Sequence, residues 1–207
     1  MDIRRIHPFQ FNRRYLADRS HETVGLVYAM HWPHRQHETA RHIRKSPFHD
    51  RLAGLGAVFG EFLGWERPNW FTRPGQSPTY TYTYGRPNWW PNAELEAKSM
   101  VAGCALFDLS SYAKFLVQGR NSLATLNLIC ANRIDVAPGR IVYTQWLNDR
   151  GGIEADVTVT RLDATSFMVV TGASGQTRDL GWRSTATSRR VRCALPPTSP
   201  PACQCWR

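Results

Sequence analysis

The stretch YTQWLNDRGGIEADVTVTRLD, from Tyr143 to Asp163, decides the fold of this chain. Two runs rich in β-branched and aromatic residues flank a turn at 149–152, where two glycines permit the backbone angles of a tight turn. The second run alternates apolar residues with polar ones, the apolar ones being Ile153, Ala155, Val157 and Val159. Because successive side chains of a strand point to opposite faces, the pattern predicts a β-hairpin with one apolar and one polar face.

Regular patterns continue on both sides of this hairpin. A strand is predicted for 112–119 and a helix for 120–134, because Leu123, Leu126 and Ile129 recur at helical spacing. A further strand is predicted for 166–172, and a helix from Ser174. Strand, helix, hairpin, strand and helix in this order predict an α+β fold, with a mostly antiparallel sheet and packed helices.

The N-terminal third is different in composition, being rich in Arg, His and Trp. Ser46 and Pro47 have the character of a helix start, and apolar residues follow them at helical spacing up to Phe62, so a glycine-interrupted helix is predicted there. Residues 72–92 are rich in Pro, Gly and Ser and are interpreted as a connector. Alternating Tyr80, Tyr82 and Tyr84 predict a short strand within it, and residues 93–104 are predicted to be helical.

The net charge of +10 is concentrated at the two ends of the chain. The first 51 residues hold ten Lys and Arg against five Asp and Glu, and residues 181–207 hold five Arg and no acid. Residues 52–180 have no net charge, because their basic and acidic residues are equal in number. An excess on two unrelated segments is poor support for one phosphate-binding stripe, so nucleic acid is not the expected partner.

A cytoplasmic protein with reduced thiols is predicted, because the sequence shows no targeting signal. No apolar run approaches the roughly 18–20 residues of a membrane span, and the N-terminus has no apolar signal region. Cys104 and Cys130 lie in apolar patterns and are predicted to be core residues. The other three cysteines crowd into residues 181–207, a stretch without usable periodicity. That stretch is predicted to be a disordered tail, and it has the appearance of a shifted reading frame.

Metal and nucleotide sites are not predicted. Pro33 interrupts the histidine cluster at 31–42, so no helix can place those side chains on one face, and no cysteine lies nearby. The sequence contains neither G-x-G-x-x-G nor a P-loop. Asp156 remains as a candidate, because acids are depleted in the middle of strands. It is either an ordinary solvent-facing acid or a carboxylate that meets a ligand and guides a proton.

Three long segments carry a family resemblance: LFDLSSYAKFLVQG, YTQWLNDRGGIEADVTVTRL and FMVVTGASGQTRDLGW. They resemble the folate-binding domain of the glycine-cleavage T-protein (aminomethyltransferase) superfamily. Upstream, DIRRIHPFQFNRRYL, GLVYAMHWPHRQHETAR and SPFHDRLAGLGAVFGEFLGWERPNWF are similar to the segment that precedes this domain in dimethylglycine and sarcosine dehydrogenases. The resemblance covers about residues 2–181 in family order.

The resemblance implies a function in one-carbon metabolism. In these flavoproteins an FAD half oxidises an N-methyl amine, and a folate half captures the one-carbon unit on tetrahydrofolate. By resemblance, Asp156 is the hairpin acid that faces the folate and acts in the transfer, and Tyr143 lines the folate pocket. FAD is not expected to bind here, because the resemblance begins after the nucleotide-binding fold.

The resemblance also implies a division of the chain. Residues 1–71 would be the end of the oxidoreductase half, 72–92 a connector, 93–180 a partial folate-binding domain and 181–207 an unmatched tail. Ala97, Val101 and Ala102 depart from the family pattern, which has a His and an Arg-Glu pair before the LFD segment. The expectation is an internal fragment of such an enzyme, inactive by itself.

Two other interpretations stay open at this point. One is a basic protein without enzymatic activity that binds nucleic acid through its arginine-rich ends. The other is an interaction module whose aromatic segment, 65–90, associates with a partner or causes aggregation.

Overall fold

The computed structural model describes residues 12–181 and the strand 204–206. The chain forms two compact units, which within the described residues comprise 12–111, here the first unit, and 112–181 with 204–206, here the second unit. Among the described helices, none is long and apolar enough to cross a membrane.

The first unit consists of three helices and one antiparallel hairpin. Its elements are α1 (Arg13–Leu26), α2 (His49–Gly54), β1 (Ala57–Phe62), β2 (Trp65–Phe71) and α3 (Trp90–Ala102). The sequence patterns did not reveal α1, which starts where the Asn12 side chain accepts a hydrogen bond from the Tyr15 amide at 3.1 Å. The helix predicted for 93–104 is confirmed as α3, which begins three residues earlier.

The helix predicted from Ser46 to Phe62 is wrong beyond Gly54. Gly56 has φ +85°, a left-handed conformation that ends the helix and suits glycine. The following residues form β1, and Val58 lies opposite Trp70 of β2. The apolar residues at helical spacing therefore belong to two elements. The short strand predicted around Tyr82 is also absent, since residues 76–83 have no regular secondary structure.

Ion pairs hold α1 and the loop after it against the hairpin. The Arg19 guanidinium donates to the Glu61 carboxylate at 2.8 Å and to the Thr39 carbonyl oxygen at 2.7 Å. The Glu22 carboxylate accepts the amides of Glu38 and Thr39 at 2.8 and 2.9 Å. Because these groups are largely removed from water, losing one partner would leave an unpaired charge at a poorly hydrated position.

The second unit is one five-stranded antiparallel sheet with a helix against one face. Its elements are β3 (Ala113–Gln118), α4 (Ser122–Ile129), β4 (Ile141–Leu147), β5 (Ile153–Arg161), β6 (Ser166–Thr171) and β7 (Gln204–Trp206), and residues 175–181 are helical. The strand order is β4-β5-β6-β3-β7. The predicted α+β fold with a mostly antiparallel sheet is confirmed, and strands and helices follow one another in the predicted order.

The core of the second unit lies on one face of this sheet. Every strand from β3 to β6 contributes alternate residues, and α4 covers them with Leu126 and Ile129. Trp146 of β4 and Phe167 of β6 are fully buried there. The predicted apolar face of β5 is confirmed for Ala155, Val157 and Val159. Ile153 is instead 70% exposed, because the strand register shifts at the Trp146–Leu147 step.

Two further predictions about cysteines and the tail are corrected here. Cys130 packs against the core as predicted, whereas Cys104 is exposed. Residues 204–206 of the predicted disordered tail form β7, which pairs with β3, so the prediction is wrong for these three residues. Residues 182–203, including Cys193 and Cys203, lie outside the described ones.

Candidate functional site

The predicted site residues lie on the face of the sheet opposite the core. Tyr143 and Gln145 project from β4, and Asp156 projects from the neighbouring strand β5. Gln145 lies directly opposite Asp156 in the antiparallel register, and Tyr143 lies opposite Thr158. Tyr143 is 58% exposed, so the group can be reached from solvent.

The Asp156 carboxylate is held at both of its oxygens. The Tyr143 hydroxyl donates a hydrogen bond to Oδ2 at 2.8 Å. The Gln145 side-chain amide donates to Oδ1 at 3.1 Å. Two donors from an adjacent strand fix the plane of the carboxylate, and its remaining lone pairs stay accessible on the exposed face.

The same hydrogen bond changes the acidity of Tyr143. The interaction with the Asp156 carboxylate raises the pKa of the Tyr143 hydroxyl, because ionising the phenol would lose that bond and set two negative charges side by side. The hydroxyl therefore stays protonated at neutral pH and remains a donor.

Neighbouring backbone contacts position β4. The Asn132 side-chain amide donates to the Tyr143 carbonyl oxygen at 2.7 Å, and the Ala131 amide donates to the Gln145 carbonyl oxygen at 2.8 Å. The Asn132 amide also donates to the Thr144 hydroxyl at 3.0 Å. The edge of β4 is thus covered by the segment that follows α4, which leaves its exposed side chains on a rigid strand.

The hairpin turn sets the register that brings the three residues together. The Asn148 carboxamide oxygen accepts the amides of Arg150 and Gly152, both at 2.9 Å. Gly151 has φ +77°, which a glycine adopts without strain. The turn predicted for 149–152 is confirmed, and Asn148 closes it from the preceding residue.

Sequence reasoning identified two members of this group and missed the third. Asp156 and Tyr143 contact each other, while their roles stay predictions. Gln145 was missed because a glutamine in a strand carries no signal of its own. Pairing the two strands around the turn would have revealed it, since that register sets Gln145 opposite Asp156.

The described residues contain no group of three or more His, Cys, Asp or Glu that could hold a metal ion. The group formed by Tyr143, Gln145 and Asp156 offers one carboxylate, two neutral donors and an aromatic ring. Such a set can accept hydrogen bonds from ring or amine N–H groups, stack a flat ring and move a proton.

Two family models match the chain. Residues 48–199 match the GCVT N-terminal domain, and residues 1–46 match the FAD dependent oxidoreductase central domain. The two matches meet between α1 and α2, in the loop of the first unit.

Curated relatives give the same result. The chain is 50% identical to the 4-methylaminobutanoate oxidase (formaldehyde-forming) of Paenarthrobacter nicotinovorans, over 83% of this chain and 21% of that protein. It is 32% identical to the mitochondrial sarcosine dehydrogenase of Homo sapiens, over 78% of this chain and 20% of that protein. The chain thus spans about a fifth of the length of these relatives.

A solved structure has the same fold. The glycine cleavage system aminomethyltransferase T of Bartonella henselae aligns with a TM-score of 0.53 and 24% identity, over 79% of this chain and 37% of that one. This likeness confirms the predicted T-protein-like fold.

Proposed function

Because the chain belongs to the GCVT N-terminal domain family, we propose that it takes part in transferring a one-carbon unit from an N-methyl amine to tetrahydrofolate. Asp156 is the proposed ligand-facing and catalytic residue, and Tyr143 with Asp156 forms the proposed folate-binding pair. The observation that carries the proposal is the doubly hydrogen-bonded carboxylate on an open sheet face.

The residues present fit a reduced folate. A reduced pterin offers N–H donors around a flat ring, and Asp156 offers carboxylate lone pairs that no described donor occupies. The Tyr143 ring is available beside that carboxylate for contact with a flat ligand. Asp156 therefore supplies hydrogen-bond acceptance and Tyr143 supplies ring contact.

When bound, the reduced folate supplies the amine nitrogens that accept the one-carbon unit. Asp156 would serve as the group that takes up a proton from such a nitrogen and gives it back to the departing amine. Tyr143 and Gln145 keep the carboxylate in one orientation during these steps. The oxidation that first activates the N-methyl group is not assigned to this chain.

FAD and folate are the cofactors of the family. Our proposal for this chain includes the folate alone, since its sequence has no G-x-G-x-x-G phosphate-binding turn. The division into 1–71, 72–92, 93–180 and 181–207, the proposed cytoplasmic location and the N-methyl amine as partner stay parts of the proposal.

A second candidate follows from the 50% identical relative, whose name specifies an oxidase that forms formaldehyde. In that function the one-carbon unit would leave as formaldehyde, and no folate would bind at Asp156. Folate binding therefore separates the two candidates.

The test is a calorimetric titration of the full chain with tetrahydrofolate in oxygen-free buffer. We expect saturable binding, and we expect Asp156→Asn to weaken it at least tenfold, because the amide replaces an acceptor oxygen with a donor. Glu154→Gln is the matched control, since it changes the same charge on the same strand but outside the Tyr143 and Gln145 network.

Equal affinity in the wild type and in Asp156→Asn would show that Asp156 is a surface acid. If Glu154→Gln weakened tetrahydrofolate binding equally, the loss of affinity would come from the change in net charge and not from Asp156 itself. A wild-type chain that does not bind tetrahydrofolate at all would leave the formaldehyde-forming function as the better candidate.

A further inference from the structure

We propose that the first unit contains a separate binding site for a small planar anion, of which an aromatic carboxylate is the simplest example. The site is a cavity of about 190 Å³ between residues 33–34 and 81–90. It shares no residue with the Asp156 site and does not depend on the function proposed for that site.

Aromatic side chains are prominent in the cavity wall. Five rings line it, those of His34, Tyr82, Tyr84, Trp89 and Trp90. The Trp32 ring packs on Tyr84 at 4.9 Å between centroids, and the His34 ring meets Trp89 edge to face at 5.5 Å. A cavity lined by several aromatic side chains favours a flat apolar body over an extended polar chain.

The Arg86 guanidinium lines the same cavity. Arg86 forms no hydrogen bond or ion pair within the described part of the chain, and its charge lies 5.5 Å from the Trp90 ring centroid. No acidic residue lines the cavity. The nearby Glu94 pairs with Lys98 at 2.7 Å. The available charge is thus positive, and a guanidinium beside rings suits a carboxylate.

The cavity is held open by hydrogen bonds of its own loops. The Asn88 side chain donates to the Thr79 carbonyl oxygen at 2.8 Å and accepts the Thr81 amide at 3.0 Å. The Tyr82 hydroxyl accepts the Gln36 amide at 3.0 Å, which joins the two loops. A wall that is already organised loses little freedom when a ligand enters.

Size and charge select the class of ligand. A cavity of about 150 Å³ holds one benzene molecule, so this one accommodates a single ring with a carboxylate. Aromatic cages also bind quaternary ammonium groups, but Arg86 repels a cation here. A proline-rich peptide needs an extended groove, whereas a cavity of about 190 Å³ has room for only one ring with its carboxylate.

The test uses benzoate as the probe and calorimetric titration of the full chain. We expect saturable binding of benzoate, and at least tenfold weaker binding of benzamide, which has the same shape without the charge. Cyclohexanecarboxylate keeps the charge and loses the flat ring, so it should also bind more weakly. Arg86→Gln should weaken benzoate at least tenfold and bring benzoate and benzamide to similar affinities.

Arg51→Gln is the matched control, because Arg51 is an exposed arginine of the same unit that does not line the cavity. It should leave benzoate binding unchanged, and circular dichroism should show that both variants fold. Absence of benzoate binding up to about 10 mM, ten times a millimolar Kd, would overturn the proposal. So would equal binding of benzamide, or binding of a proline-rich peptide in place of benzoate.

Discussion

The Glu66 carboxylate and the Arg41 guanidinium form a two-point ion pair inside the first unit. Arg41 donates from Nε at 2.9 Å and from Nη2 at 2.6 Å, while the Glu66 side chain is fully buried. The His42 amide donates to the same carboxylate at 2.6 Å. The pair joins the loop before α2 to strand β2.

Glu66→Gln should destabilise the first unit by about 3 kcal/mol, because it leaves the Arg41 charge without its partner in a poorly solvated position. Urea unfolding followed by tryptophan fluorescence measures the change. Glu94→Gln is the control, since it removes an exposed helical pair with Lys98 and should leave the midpoint unchanged. Equal midpoints for all three proteins would contradict a stabilising role for the buried pair.

Stability should also fall at acid pH through Glu66. Burial alone would raise its pKa, but the hydrogen bonds from Arg41 and the His42 amide hold the pKa below the ordinary value. A carboxyl group with a lowered folded pKa contributes stability above its unfolded pKa, about 4.3, and loses it as pH falls through the folded value. The unfolding midpoint of the wild type should therefore drop below about pH 4 more steeply than that of Glu66→Gln.

The acidity of Tyr143 should respond to Asp156. The hydrogen bond to that carboxylate raises the Tyr143 pKa, so Asp156→Asn should lower it towards the ordinary value of about 10. NMR titration of chains with labelled tyrosine rings, with Tyr143→Phe to assign the signal, measures this. A Tyr143 signal that titrates identically in both proteins would mean that the contact does not persist in solution.

Gln145 should act as a positioning residue for the proposed folate site. Gln145→Ala removes one of the two donors to Asp156 and should weaken tetrahydrofolate binding about fivefold, the effect of one hydrogen bond. Gln145→Glu should weaken it further, because a second carboxylate repels the first. Thr160→Ala is the control, because Thr160 lies on β5 opposite Ile141 and outside the hydrogen bonds of Asp156. A Gln145→Glu variant that binds as well as wild type would rule out the positioning role.

Cys104 and Cys130 should differ in reactivity. Burial raises the pKa of the Cys130 thiol to about 11, so almost none of it is thiolate at pH 8. Cys104 is exposed. Iodoacetamide at pH 8 followed by peptide mass spectrometry should modify Cys104 and leave Cys130 intact. Rapid labelling of Cys130 in the folded chain would show that its surroundings open readily.

The second unit could be predicted from sequence because its patterns are local. Val157 and Val159 alternate with polar neighbours, and paired glycines mark the turn, so the strands and the hairpin follow from local patterns. The first unit misled the same reasoning. Val58 and Phe62 have helical spacing but lie in β1, because their partner strand and the left-handed Gly56 decide the conformation.

Of the candidate site, the sequence supplied Asp156 and Tyr143, the latter through family resemblance. Gln145 required the cross-strand register, which is a property of two segments together. The cavity beside Arg86 depends on two loops that lie about fifty positions apart in sequence, and no periodicity encodes that meeting.

The turn closed by Asn148 controls whether the second unit has a candidate site at all. Strand side chains alternate, so a slip of one residue between β4 and β5 would turn Asp156 towards Trp146 and Phe167 and bring Val157 to the surface. Inserting or deleting a single residue within 149–152 would then leave composition and charge almost unaltered, while the core-facing and exposed residues of β5 would exchange places. Variation in the length of this loop should therefore be far less tolerated than substitution of the residues within it.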